Sequence, residues 1–145
     1  MNLLTKTILS AVIAISSTSA FAASVSIPSS MQVSEINGIK VTNAQEFKLA
    51  QGQNLIKLRY IEDFAFNADD SGALVKSKPL FLNVSAQEGV KYTVTLPELM
   101  TQNEARDFIN NPVIQLSDDN GLTRTDSLSS QYQLMAAMFK QDTQM

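Results

Sequence analysis

The chain of 145 residues contains no cysteine, no histidine and no tryptophan. Without histidine and cysteine, the commonest general base and the thiol nucleophile are missing, and a zinc site would need carboxylates alone. Without tryptophan, an aromatic-lined cleft for paired-carboxylate glycosidase chemistry lacks its largest side chain. We therefore predict a protein that is not an enzyme and that has no catalytic residues, cofactor or metal. A carboxylate-based hydrolase is the least favoured alternative.

The chain also lacks a strong excess of either positive or negative charge. The chain has 11 lysines and arginines against 14 aspartates and glutamates, and the two signs are interspersed without a basic stripe. Proteins that bind nucleic acids or anionic membrane surfaces need clustered basic residues. We therefore expect neither a nucleic acid nor a membrane surface as the partner.

Residues 1–22 have the pattern of a cleavable signal peptide. One lysine precedes the short apolar run ILSAVIAI, and Ala20 and Ala22 then form an A-x-A signal. A transmembrane helix needs about 20 apolar residues, so an uncleaved anchor is the less favoured interpretation. We expect a mature chain that starts at Ala23, resides in the periplasm, carries no lipid on cysteine and does not insert stably into the membrane.

Most of the remaining chain alternates apolar and polar residues in short segments separated by turns. Asn37 and Gly38 lie between two such segments and predict a type I′ hairpin. This pattern favours a mainly β domain over residues 23–126, a small antiparallel β-sandwich or partly open barrel. The predicted strands are residues 25–27, 31–36, 39–41, 46–49, 55–61, 80–84 and 90–96, followed by residues 113–116 and 122–125.

Two segments depart from this alternation. Thr101 and Glu104 form a T-x-x-E capping box that predicts a short helix to about Ile109, stopped by Pro112. Residues 127–145 then change period, which predicts a C-terminal amphipathic helix that packs on the domain or extends it.

The C-terminal segment holds the candidate partner-binding residues. Leu128, Tyr132, Met135 and Phe139 are spaced by four, three and four residues, which predicts one apolar stripe on a helix. We favour packing of this stripe on the open face of the sheet, because amphipathic helices mostly bury their stripe in their own domain. Contact with a protein partner is the alternative, favoured by Met135 and Met138, since methionines recur at adaptable binding surfaces.

A polar loop matches half of a calcium-binding motif. Asn67, Asp69, Ser71 and Gly72 occupy positions one, three, five and six of the motif. Position twelve falls on Lys78, where a bidentate glutamate is required. We therefore interpret the loop as a surface turn.

The order of motifs along residues 24–125 resembles the YccT-like family of exported proteins. The resemblance rests on VSEINGIKV, on the turn and strand QGQNLIKLRY, on SKPLFLNV, and on EARDF before NNP. The family includes a curli synthesis inhibitor, a periplasmic protein that restrains an extracellular amyloid. The resemblance implies a binding protein for an amyloid subunit or another envelope protein, and it supplies no catalytic residues.

Two binding mechanisms and one alternative function follow. The protein could pair with a partner's strand at a free sheet edge, or accept a partner in a groove between sheet and C-terminal helix. The alternative is an envelope module for glycan or peptidoglycan, which would need surface aromatic rings as stacking platforms. Phe47, Tyr60 and Tyr92 are predicted to face inward, which argues against that alternative.

Overall fold

A computed structural model describes residues 21–69 and 72–143 as two β-sheets with two helices. Sheet 1 has the strand order β10-β9-β8-β1-β4, and sheet 2 has the order β11-β7-β5-β2-β3, with β6 paired to β5. The strands of sheet 1 are β1 (Phe21–Ser26), β4 (Glu46–Ala50), β8 (Lys91–Thr95), β9 (Val113–Asp118) and β10 (Thr123–Ser127). Those of sheet 2 are β2 (Met31–Ile36), β3 (Ile39–Lys40), β5 (Gly52–Asp63), β6 (Leu74–Lys76), β7 (Leu80–Ala86) and β11 (Ser129–Ser130). The helices are α1 (Gln102–Asn110) and α2 (Gln131–Asp142).

The two sheets are not closed into a barrel, so the prediction of a mainly β, sandwich-like fold is confirmed. All strand pairs are antiparallel except β1 and β8, which run parallel with Ser24 opposite Lys91. The chain passes from the edge of sheet 1 to the edge of sheet 2 between β10 and β11, where Leu128 is the connecting residue. This crossing ties the two layers together on one flank.

The hairpin between β2 and β3 is the one that the sequence predicts. Asn37 and Gly38 have φ angles of 54° and 78°, as a type I′ turn requires. The side chain of Asn37 accepts the N–H of Leu55 at 2.8 Å and donates to the buried Asn54 at 3.0 Å. The turn is therefore fastened to β5 as well as closing its own hairpin.

The core lies between the sheets and is built by alternation along the strands. Ile56, Leu58 and Tyr60 of β5 are fully buried, as predicted from their spacing. Helix α1 covers one end of this core with Ala105 and Phe108, and the rings of Phe108 and Tyr60 meet edge to face with centroids 5.6 Å apart.

Two short strands, β6 and β11, were not predicted from the sequence. β6 pairs with the last residues of β5, which extends to Asp63, and β11 pairs with the start of β7. Each has only two or three residues, too few for alternation to reveal. β10 ends at Ser127, one residue beyond the predicted domain border.

The predicted signal peptide lies largely outside the described residues, which begin at 21. The expected cleavage point after Ala22 falls within β1, ahead of Ser24, Val25 and Ser26, which pair with both β4 and β8. In the part of the chain that the structure describes, neither helix has the length and apolar character needed to cross a membrane.

Candidate functional site

Local hydrogen bonds within residues 130–143 cap both ends of α2. Ser130 Oγ accepts the N–H of Gln133 at 3.1 Å, and Gln133 Oε1 accepts the N–H of Ser130 at 2.9 Å. At the other end, the hydroxyl of Thr143 donates to the carbonyl of Phe139 at 3.0 Å. These bonds satisfy backbone groups that a helix end leaves unpaired, so local interactions define where α2 starts and stops.

The structure separates the four residues that were predicted to share one stripe. Leu128 is 3 % exposed and belongs to the hydrophobic core, whereas Tyr132, Met135 and Phe139 are 82 %, 51 % and 69 % exposed. The predicted packing therefore holds for Leu128 and is wrong for the other three. The physical reason is that Ser129 and Ser130 form strand β11, so the spacing from Leu128 to Tyr132 is not helical.

Tyr132, Met135 and Phe139 nevertheless form a compact surface, which we call the α2 stripe. At 100° per residue they fall within an arc of about 60° on the helix. Met138 is also exposed and extends this surface. No residue of α2 is buried.

The residues immediately before α2 are fixed to the sandwich. The N–H of Leu128 donates to the carbonyl of Pro112 at 2.8 Å, and β11 pairs with Leu80 and Phe81 of β7. Along the helix, Leu134 is half-buried, and α2 contacts β11 and β7. The α2 stripe is thus carried by a helix that is anchored at its start and faces solvent.

The solvent face of sheet 1 offers a different surface. Thr93, Ser117 and Thr123 lie side by side across β8, β9 and β10, and the hydroxyls of Ser117 and Thr123 are 3.1 Å apart. Ser26 continues this row on β1. Short hydroxyl side chains give this face no apolar area comparable to the α2 stripe.

Two hydrogen bonds show which backbone groups of β10 point toward the free edge of sheet 1. The N–H of Asp118 donates to the carbonyl of Leu122 at 2.9 Å, and that of Leu128 to Pro112 at 2.8 Å. Because bonding alternates along an antiparallel pair, the even-numbered residues of β10 bond to β9 and the odd-numbered ones direct their backbone groups to the free edge.

Charged side chains protect this β10 edge. Arg124 and Asp126 stand opposite Leu116 and Ile114, so they lie on the core side of the sheet, and they form an ion pair at 3.2 Å. Arg124 Nη2 also donates to the carbonyl of Asn83 on β7, at 3.5 Å. Inward-pointing charge on an edge strand discourages pairing with another chain.

An open groove runs between α1 and the ends of β8 and β9, with a volume of about 610 Å³. Leu96, Leu99 and Phe108 give it an apolar floor, and Glu98 and Asp107 give it an acidic rim. A further carboxylate, that of Glu104, caps α1 by accepting the N–H groups of Met100 at 2.6 Å and Thr101 at 3.2 Å.

The calcium-like loop has the geometry of a turn in its described part. Asn67 Oδ1 accepts the N–H of Asp69 at 3.1 Å, which is an Asx turn. Ser71 lies outside the described residues. Within residues 21–69 and 72–143, no three acidic side chains are grouped so that they could hold a metal ion.

Tyr60 is a fully buried titratable group of the core. Burial, together with the nearby charge of Glu62 and a hydrogen bond to it at 3.3 Å, raises the pKa of Tyr60 to about 12. The hydroxyl therefore stays protonated at neutral pH and serves the packing beneath α1.

Comparison with known proteins gives one match. No curated protein and no solved structure shows significant similarity to the chain. One bacterial protein family, described as an uncharacterized protein conserved in bacteria (DUF2057), matches residues 24–143. That range takes in both sheets, α1 and α2. The chain therefore belongs to the DUF2057 family.

Proposed function

We propose that the protein is an exported binding protein that engages a protein partner through the α2 stripe. The observation that carries this proposal is the exposure of Tyr132, Met135 and Phe139 on one face of a helix that buries none of its residues. Monomeric soluble proteins rarely expose contiguous apolar patches larger than about a few hundred Å², and larger patches mark interaction sites.

The chemistry of the stripe suits a helix that docks into a partner's groove. Anchors at positions i, i+3 and i+7 match that recognition mode. Tyrosine and phenylalanine contribute large contact areas, and methionine adapts to irregular surfaces. Because β11 and Leu128 fix the start of α2, the helix is presented without the entropy cost of ordering a free tail.

The compartment and the partner class come from the sequence. The predicted signal peptide and the resemblance to the YccT-like family support a periplasmic location and an envelope partner. Within that class, the resemblance supports a subunit of a curli-type amyloid, whose assembly the protein would restrain by binding subunits.

This proposal is tested on the protein expressed from its full coding sequence with its own leader. We expect it to slow fibril growth of a curli-type amyloid subunit, and we expect Tyr132→Ala/Met135→Ala/Phe139→Ala to lose that effect. The matched control is Lys140→Ala/Gln141→Ala, which removes polar side chains outside the stripe on the same helix and should keep the effect. Unchanged growth at several-fold molar excess of the natural protein would rule out the amyloid role.

Affinity capture from periplasm then identifies an envelope partner in general. A protein retained by the natural chain and by the polar control, but not by the stripe variant, supports binding through α2. Equal capture by all three variants contradicts it.

A glycan-binding module is the second candidate. Tyr132 and Phe139 are exposed aromatic rings on one helical face, and such rings can stack on sugars. A pull-down on isolated cell wall separates this candidate from the first. Retention by cell wall, abolished by the stripe variant, would favour it.

A further inference from the structure

The second free edge of sheet 1 lies at β4 and has a regular pattern of exposed backbone groups. Among the strands that the structure describes, β4 pairs with β1 alone, with Val25 opposite Phe47. The N–H of Ile27 donates to the carbonyl of Gln45 at 2.7 Å, which fixes the alternation. Phe47 and Leu49 therefore bond inward to β1, and Glu46 and Lys48 direct their backbone groups to the free edge.

The edge is short and has a defined end. Both backbone groups of Ala50 are occupied by Asn54, whose Oδ1 accepts the N–H at 3.2 Å and whose Nδ2 donates to the carbonyl at 2.8 Å. The pairing groups left on β4 are those of Glu46 and Lys48. Their side chains both lie on the solvent face, whereas Phe47 and Leu49 fill the core face.

From this pattern we infer that β4 pairs with β4 of a second copy, antiparallel, about a two-fold axis that passes through Phe47. In that register Glu46 stands opposite Lys48 of the second copy, and Lys48 stands opposite its Glu46. All four residues then pair through the backbone groups that face the edge, and each cross-strand neighbour carries the opposite charge.

Charge selects this register over its neighbours. An axis through Glu46 would place two glutamates opposite each other, and an axis through Lys48 would place two lysines opposite each other. Like charges directly across a ladder are destabilising. An axis through Leu49 would need the backbone groups of Ala50, which Asn54 already holds.

The proposed pairing would also bring an apolar side chain of each copy into contact with that of the other. Phe47 of the two copies would meet on the core side as a non-hydrogen-bonded pair, where side chains approach most closely. The contact is isologous, so it closes after two copies and joins the two copies of sheet 1 into one continuous sheet. The β10 edge differs because its charged residues, Arg124 and Asp126, lie on the core side and already form an ion pair with each other.

The inference goes beyond the proposed function, because it leaves the α2 stripe outside the contact. It is tested by the mass of the protein in solution over a range of concentrations, by sedimentation velocity. We expect the natural protein to form a concentration-dependent dimer. A protein that stays monomeric up to millimolar concentration would overturn the inference.

Charge substitutions test the register. Glu46→Lys and Lys48→Glu each place like charges across both pairs, so each variant should raise the dimer dissociation constant by about tenfold or more. Mixing the two variants restores opposite charges and should yield a mixed dimer. The double variant Glu46→Lys/Lys48→Glu should again dimerise by itself.

The matched control is Lys91→Glu, which makes the same charge change on the solvent face of β8, inside the sheet. It should dimerise like the natural protein. Circular dichroism of every variant checks that the fold is kept. A dimer that survives Lys48→Glu, or two single variants that fail to associate when mixed, would show that the copies do not pair through this register.

Discussion

The two helices begin with the same type of capping box and differ in how much of their surface they bury. α1 begins with Thr101 and Glu104 in a reciprocal capping box, and α2 begins with Ser130 and Gln133 in another. α1 then buries Ala105 and Phe108, whereas α2, although longer, buries no residue. The cap decides that a helix forms at that point, and packing alone decides whether the helix belongs to the core.

This difference in burial gives the two helices different roles. Phe108 is held against Tyr60 and completes one end of the core, so α1 is part of the scaffold. The aromatic residues of α2 contact solvent, so α2 is the part that remains available for another molecule. Substitutions in α1, α2 and the residues next to them test this difference in role.

The first prediction compares one phenylalanine from each helix. Phe108→Ala should lower the free energy of unfolding by about 3–5 kcal/mol, because it removes a buried ring and leaves a cavity. Phe139→Ala should change it by less than about 0.5 kcal/mol, because that ring is exposed. Urea unfolding followed by circular dichroism measures both. Equal losses in the two variants would mean that α2 is packed as firmly as α1.

The second prediction concerns the residue that joins the sandwich to α2. Leu128→Ala should lower the free energy of unfolding by about 2–5 kcal/mol, since Leu128 fills the core where the chain crosses between sheets. Leu122→Ala, which lies just before β10 and is largely exposed, is the matched control and should have little effect. Urea unfolding again provides the measurement, and a stable Leu128→Ala variant would contradict the anchoring role.

The third prediction uses the pKa of Tyr60, which lies beneath α1. This pKa is about 12 in the folded protein and 10.0 in the unfolded chain, so the unfolded chain loses its proton first. The resulting stability is fully present below pH 10 and declines between pH 10 and pH 12, by at most about 1.4 kcal/mol per pH unit. Urea unfolding across that range measures the decline. Tyr60→Phe should be flatter, and an equal decline in both proteins would show that other groups cause it.

The fourth prediction returns to the two caps. Thr101→Ala should lower the free energy of unfolding by about 1 kcal/mol, because α1 unfolds with the core. Ser130→Ala should leave that global value unchanged and instead speed amide hydrogen exchange within α2, since α2 can open alone. If Ser130→Ala lowers global stability as much as Thr101→Ala does, the two helices belong to the same cooperative unit.

The sequence predicts the β-strands of the core well because alternation and turn chemistry are local. The Asn37–Gly38 turn, the inward residues of β5 and the T-x-x-E cap of α1 all appear where their patterns place them. The parallel pairing of β1 with β8 was not predicted, because no local signal tells a short strand which neighbour it will take.

Three of the four predicted partner-binding residues form the α2 stripe, and the fourth, Leu128, is buried in the core. The spacing of Tyr132, Met135 and Phe139 correctly predicts one face of a helix, but its extension to Leu128 is wrong, because Leu128 precedes α2. It could not reveal that Ser129 and Ser130 would be drawn into pairing with β7. That pairing depends on a strand nearly 50 residues away in the sequence, and it leaves Leu128 in the core and the other three outside.

Local sequence patterns account for the secondary structure of most of the chain, the absence of histidine and cysteine chemistry, and the start of α1. Each of these depends on residues a few positions apart, where backbone sterics and capping bonds act. Three features depend on the tertiary structure: which edges of sheet 1 stay free, which edge carries inward-pointing charges, and the exposure of α2 to solvent. These features depend on pairing between strands that are far apart in the sequence. That pairing sets how much surface each strand and helix can bury.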